Sequence, residues 1–151
     1  MVQFEEQFGA LFREIGESRK MVLSTSAGDC VTSRMMSIVV FEGKFYFQTD
    51  KTFRKYEQLQ KNPRAALCFD NFQIEGCCED LGHPSNHSEF CCLYEKNFPG
   101  SFKRYTPLTN ERLFVLDPAY VKKWIYEGGE PFEEIYDFVH GIYEKRKYVG
   151  I

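Results

Sequence analysis

Phe4, Phe8, Leu11, Phe12 and Ile15 recur at helical spacing, with Glu5, Glu6, Arg13 and Glu14 between them. This pattern predicts an amphipathic helix ending near Gly16. The period then shortens. "KMVLSTS" reads as a strand, "AGD" as a turn and "CVTSRMMSIVVF" as a long second strand. Glu42-Gly43 is a tight hairpin connection to "KFYFQT", where Phe45, Phe47 and Thr49 share one face and Tyr46 and Gln48 the other. From Thr52 the spacing is helical again, until Asn62-Pro63 stops it. "RAALCF" and "FQIEGCCEDL" are strands, and a helix beginning near Ser85 runs to Pro99-Gly100. "ERLFVLD" and "KKWIYE" follow as two strands, while "PFEEIYDFVHGIYEKRK" fits either a helix or a strand plus a helix. Tight turns between successive strands point to a mainly β fold with α, an antiparallel barrel with flanking helices rather than a parallel βαβ sheet.

At 151 residues with 43% apolar content, the chain reads as one domain, 1–151, with an ordinary globular core. Its aromatic share is large, with 15 Phe, 9 Tyr and 1 Trp, so a second copy is expected to help complete the barrel. Net charge is -3 with both signs interspersed, which gives no footprint for nucleic acid or an anionic membrane. "MVQFEEQFGALF" lacks the basic and apolar regions of an export signal, and no apolar run approaches the ~20 residues of a spanning helix. The expectation is a cytoplasmic protein whose six cysteines are thiols.

The densest chemistry lies in "FYFQTDKTFRKYEQLQKNPRAALCF". Thr52 stands near a helix start, where free N–H groups and the helix dipole favour an anion. Arg54 can make a two-pronged contact to phosphate, Lys55 adds a point charge, and Arg34 lies on the neighbouring hairpin strand. By spacing alone, Arg54 and Lys55 are read first as a solvated helix face and only second as a phosphate clamp. Arg34, inside a strand with Met35, Met36, Ile38 and Val39, needs a partner or an edge.

"RMMSIVVFEGKFYFQTDKTFRKYEQLQKNPRAALCF" resembles the pyridoxamine-phosphate-oxidase-like flavoproteins. Their pattern is a strand with "RxxxxK/V", a hairpin, then "F-Y-T-N-x-x-S-R-K-x-x-x-L-x-x-N-P-x-A-x-L-x-F". The resemblance runs from about Met21 to Leu81, and more loosely to "ERLFVLDPAYVKKWIYEG". It implies an FMN-binding split barrel, a six-stranded antiparallel Greek-key barrel with flanking helices. It also implies FMN as cofactor, with Arg34, Arg54 and Lys55 at the phosphate and Thr52 in place of the usual serine. Met35, Met36, Ser37, Ile38 and Val39 would flank the flavin ring by side chain and backbone. Gln48 and Thr49 would end the next strand beside the cofactor, and Gln73 would reach the flavin of a partner subunit. The implied assembly is a homodimer with shared sites. The implied activity is electron transfer through FMN, from NADH, NADPH or a substrate donor to a small acceptor. The true oxidases grip pyridoxal phosphate with C-terminal arginine and histidine residues, and "EGGEPFEEIYDFVHGIYEKRKYVGI" lacks that segment. Val39 or Val40 also stands where a lysine is common. Both departures argue against vitamin B6 oxidation and towards the nitroimidazole-reductase-like branch or a flavin reductase. They also keep open a carrier or sensor that holds flavin or haem without turnover. No catalytic acid or base is demanded.

Cys77, Cys78, His83, His87, Cys91 and Cys92 crowd one stretch, but their spacing fits no standard metal motif. Packing and free thiols are the expected roles there. No metal is assigned.

Overall fold

The computed structural model describes residues 2–150. Helix α1 (Val2–Ile15) leads into strands β1 (Ser18–Ala27), β2 (Cys30–Phe41) and β3 (Lys44–Asp50). Helix α2 (Arg54–Lys61) then crosses to β4 (Arg64–Phe69) and β5 (Phe72–Asp80). A 3-10 turn (Pro84–Asn86), α3 (Ser88–Asn97) and α4 (Pro99–Tyr105) precede β6 (Glu111–Glu127), β7 (Glu130–Asp137) and β8 (Ile142–Lys147).

All neighbouring strands are antiparallel, in the order β3-β2-β1-β4-β5-β6, and β3 pairs with β6 to close the barrel. Three hairpin-joined strands with the fourth returning beside the first make the Greek key. Six strands therefore close within one copy, from Phe45↔Leu116 to Asp50↔Glu111, so closure needs no second copy. At the β2–β3 turn both Glu42 (φ 52°) and Gly43 (φ 71°) are left-handed, the twist that two-residue hairpins require. Inward-facing Met21, Leu23, Ile38, Phe45, Phe47 and Ile74 are fully buried. Leu11 and Ile15 of α1 join that core at one end, and Leu59 of α2 caps the other.

Three segments differ from the sequence reading. The helix expected from Ser85 to Pro99 is broken into the 3-10 turn, α3 and α4. Pro99 lacks an N–H and pushes Phe98 out of the helical region, to φ -135° and ψ 61°. The two strands expected around Pro118 are one 17-residue strand. Proline survives there because the ladder slips beside it: Glu75 pairs Tyr120 while Gly76 pairs Pro118, leaving Ala119 as a bulge. Only glycine fits opposite, since a Cβ on Gly76 would lie 2.3 Å from the Asp117 carbonyl oxygen. The tail is neither of the two forms considered for it. It is a β7–β8 hairpin that extends the sheet beyond β6.

Candidate functional site

The barrel has a split. β2 and β3 pair only at Val39↔Tyr46, Val40↔Phe45 and Phe41↔Lys44. Before that point β2 follows β1 from Cys30 to Val39, while β3 leaves with β6 through Asp50. Residues 30–38 of β2 and 47–50 of β3 thus present backbone edges to each other with no ladder between them. Unpaired N–H and C=O groups along such edges need partners.

Three cations gather at this split. Arg34 points to the α2 end of the barrel, where its Nη1 donates to the Leu23 carbonyl (3.2 Å) and Thr25 Oγ1 (2.8 Å), and its Nη2 to Thr32. Both threonine hydroxyls donate in turn to Gln58 Oε1 at 2.6 Å, and Gln58 is buried. This relay fixes the guanidinium using neutral oxygens only. Burial, then the Arg54 charge, lowers the Arg34 pKa; burial, then Arg34, lowers that of Lys55. Among the described residues, none of the three makes an ion pair within 4.0 Å. Mutually repelling cations with no close ion pair, balanced only at a distance by Glu111 and Asp50 on Lys55, fit an anion.

Helix α2 starts two residues later than Thr52. Its N-cap is Phe53, which offers no side-chain acceptor to the first turn. Thr52 instead uses its N–H (2.8 Å) and hydroxyl (2.7 Å) on the Asp50 carboxylate, shaping the approach to the helix. Arg54 occupies the first helical turn and also donates to Cys30 Sγ at 3.0 Å.

On the outer face of β3 a pocket of about 310 Å³ opens against α3 and α4, lined by Gln48, Thr49, Asp50, Lys55, Tyr94 and Glu111 among others. Gln48 is buried and accepts from the Thr106 hydroxyl at 2.9 Å. Ser101 and Ser37 stand near the Tyr94 hydroxyl, and burial raises its pKa to about 12. Glu111 is 5% exposed. Burial, then the Asp50 charge, pushes its carboxyl up to about 7 against the opposing pull of Lys55.

The structure therefore brings Arg34, Ser37, Gln48, Thr49, Arg54 and Lys55 to one end of the split. Met35 is exposed, and Met36 packs against the core cluster. The side chains of Ile38 and Val39 are fully buried, so they can serve the split through backbone alone. Gln73 is exposed on the outer face of β5, away from this cluster in its own chain. Sequence reading missed Thr25, Thr32, Gln58, Tyr94 and Glu111. The one available signal was Gln58, four residues after Arg54 and so on the same helix face.

Among the described residues, no group of three His, Cys, Asp or Glu could hold a metal ion. His87 Nε2 bonds the Leu81 carbonyl (2.7 Å) and Cys91 Sγ the Pro84 carbonyl (3.1 Å), so this cluster holds its own loop together. All six cysteines are free.

The chain belongs to the pyridoxamine 5'-phosphate oxidase family, whose profile matches residues 5–125. No curated protein sequence matches it. It is similar in fold to a pyridoxamine 5'-phosphate oxidase-related, FMN binding protein from Nostoc punctiforme PCC 73102, with 16% identity, 98% of this chain and 94% of that one covered, and TM-score 0.64. PhzG from Burkholderia lata 383, solved with tetrahydrophenazine-1-carboxylic acid, shares 12% identity over 97% of this chain and 91% of its own, with TM-score 0.62. HutZ, the heme storage protein of Vibrio cholerae, shares 13% identity over 75% of this chain and 89% of its own, with TM-score 0.60. At such identities the likeness is one of fold. No described helix is long and apolar enough to cross a membrane.

Proposed function

We propose that the protein is an FMN-dependent oxidoreductase, with the cofactor phosphate held by Arg34, Arg54 and Lys55 at the first turn of α2. The observation that carries this reading is the cation cluster at the open split, in which three cations stand together and, among the described residues, none makes an ion pair within 4.0 Å. The residues fit the group. Arginines suit the two-pronged grip of a phosphate, and the open edges of β2 and β3, with Ser37, Gln48 and Thr49, suit the hydrogen-bonding rim of a flavin ring. Bound FMN would supply two-electron transfer between a nicotinamide or substrate donor and a small acceptor. The chain's own part is to bind, orient and exclude water. Purified protein should be yellow and release FMN on denaturation; a colourless protein that takes up no FMN overturns the reading.

The site is shared in a homodimer. Register carries a row of side chains across the outer face from Met35 to Val22, Cys68 and Gln73. Beside it run Ser33, Ser24, Ala66 and Glu75. Val31 (69% exposed) and Met35 (61% exposed) leave this face apolar at the β2 side, and Gln73 stands free to reach a second copy. An obligate pair should bury well over ~2,000 Å². A flavin-loaded monomer in sedimentation at micromolar concentration rules the shared site out. Six free thiols, four of them exposed, fit a reducing cytoplasm.

Vitamin B6 oxidation is not the activity proposed. The tail's His140 is bonded to Asp137 at 2.8 Å and Arg146 to Glu133 at 3.1 Å, both within the β7–β8 hairpin. That engagement also supports a second reading, a flavin or haem carrier or sensor without turnover. Anaerobic NADH or NADPH separates the two: rapid bleaching of the flavin band supports the enzyme, and inertness to both donors and to a substrate panel supports the carrier.

A further inference from the structure

Glu111 is a buried carboxyl that the proposed cofactor site does not use. It begins β6, pairs in register with Asp50 of β3 and lines the pocket beside Lys55. The groups facing it are Asp50 from β3, Lys55 from α2, Tyr94 from α3 and Tyr105 from α4, with Arg34 of β2 acting on Lys55 from behind. Its neighbour Arg112 is turned away, in an ion pair with Asp80 at 3.0 Å. Lys55 is thus the cation that offsets the charge on Glu111, and no hydrogen bond contributes to that balance.

We infer that binding of a phosphate-bearing ligand at the Arg34–Arg54–Lys55 cluster draws a proton from solvent onto Glu111, which thereby sets the pH range over which the ligand is held. The inference rests on the phosphate site proposed above. A phosphate at the cluster engages the ammonium of Lys55 and places new negative charge within reach of Glu111. The carboxylate then has a second like charge to face besides Asp50, in a position from which water is largely excluded. Two charges ~8 Å apart at an effective dielectric of ~20 interact strongly enough to move a pKa by on the order of one unit. Glu111 begins from about 7, so a rise of that size falls in the physiological range. No electron moves; the ligand binds and one carboxylate becomes a carboxylic acid.

The test is calorimetric titration of FMN into the intact protein near pH 7.5, in two buffers of different ionisation enthalpy. Free FMN phosphate is already mostly dianionic there, its second pKa lying near ~6, so its own proton contributes little. The wild type should take up roughly half a proton per FMN, and its Kd should weaken about fivefold from pH 7 to pH 9. Glu111→Gln should lose the uptake and hold FMN equally well at both pH values. Riboflavin, which lacks the phosphate, should draw no proton in the wild type, a comparison that needs no variant. FMN binding without proton uptake in the wild type overturns the inference and leaves the cofactor reading standing. So does uptake that persists in Glu111→Gln, or uptake with riboflavin equal to that with FMN. Failure of FMN to bind at any pH overturns the cofactor reading itself.

Discussion

Two charge clusters, at opposite ends of the barrel, are built on opposite principles. Where α1, β6, β7 and β8 meet, the most buried charges are paired. Lys123, almost fully buried, bonds Glu14 at 2.6 Å and Glu134 at 3.4 Å, and the Tyr143 hydroxyl also donates to Glu134. Lys122 and Arg146 share Glu133 at 2.6 and 3.1 Å. At the α2 end, Arg34, Arg54 and Lys55 repel one another and bond only neutral groups. A closed network holds elements together and needs nothing further. An open one leaves like charges repelling, a repulsion that an anion can relieve. Charged residues alone do not mark a site; charges left unbalanced at an open strand edge do.

The largest effect should come from breaking the closed cluster. Lys123→Ala leaves Glu134 under β7 without its cation and opens a gap against Phe72, and should cost about 3 kcal/mol of unfolding free energy. Chemical denaturation measures this, and FMN affinity should be unchanged.

A carboxyl that keeps its proton longer in the fold than in the unfolded chain works against folding once ionised. Glu111 moves from an ordinary 4.5 to about 7, so stability should be highest below the lower value. It should fall by roughly 2–3 kcal/mol as pH rises from 5 to 8, then level off. Glu111→Gln, followed by denaturation across the same pH range without ligand, should remove that fall. A wild-type stability that is flat across this range contradicts the assignment.

The two clusters were not equally legible in the sequence. Hairpins, the first helix and the first five strands follow the apolar period, because each must bury one face and Glu42-Gly43 admits only a tight turn. Arg34, Arg54 and Lys55 were visible because they stand in a known pattern. Thr25, Thr32 and Gln58 were not, since the relay exists only when the β1–β2 register sets the threonines side by side under α2. Glu111 was hidden for a similar reason: its burial comes from α3 and α4 folding over β3, and proline decided how those helices break. The closed cluster was missed entirely. Glu133, Glu134, Tyr143 and Arg146 lie in the tail, whose pattern fits helix and strand alike, and only pairing with β6 selects the strand that brings them to Lys122 and Lys123.

Arg54→Ala and Lys55→Ala reverse the expectation for Lys123. Each should weaken FMN by about 2 kcal/mol, because each removes a charge-assisted contact to phosphate. Unfolding free energy should hold or rise slightly in Arg54→Ala, since its repulsion of Arg34 disappears, and should hold in Lys55→Ala, where the lost pull on Glu111 and Asp50 offsets the repulsion relieved at Arg34. Riboflavin binding should be little altered in either variant. Equal affinity of the wild type for riboflavin and FMN removes the phosphate clamp even if the protein binds flavin.

The smallest expected effect sharpens the comparison most. Lys147 belongs to the paired end of the molecule, bonding Glu130 at 3.4 Å across the β7–β8 edge. Both side chains there are about half exposed, so water competes for each charge and the pair gives up little when broken. Lys147→Ala should change stability by less than about 0.5 kcal/mol and leave FMN affinity untouched. It removes the same unit charge as Lys55→Ala while leaving the split intact. If the cluster attracted FMN only through the net charge of the chain, the two variants would weaken binding alike, and more so at low salt. Titrations of both at low and moderate ionic strength decide it: a loss confined to Lys55→Ala means that contact at the split, and not overall charge, holds the phosphate.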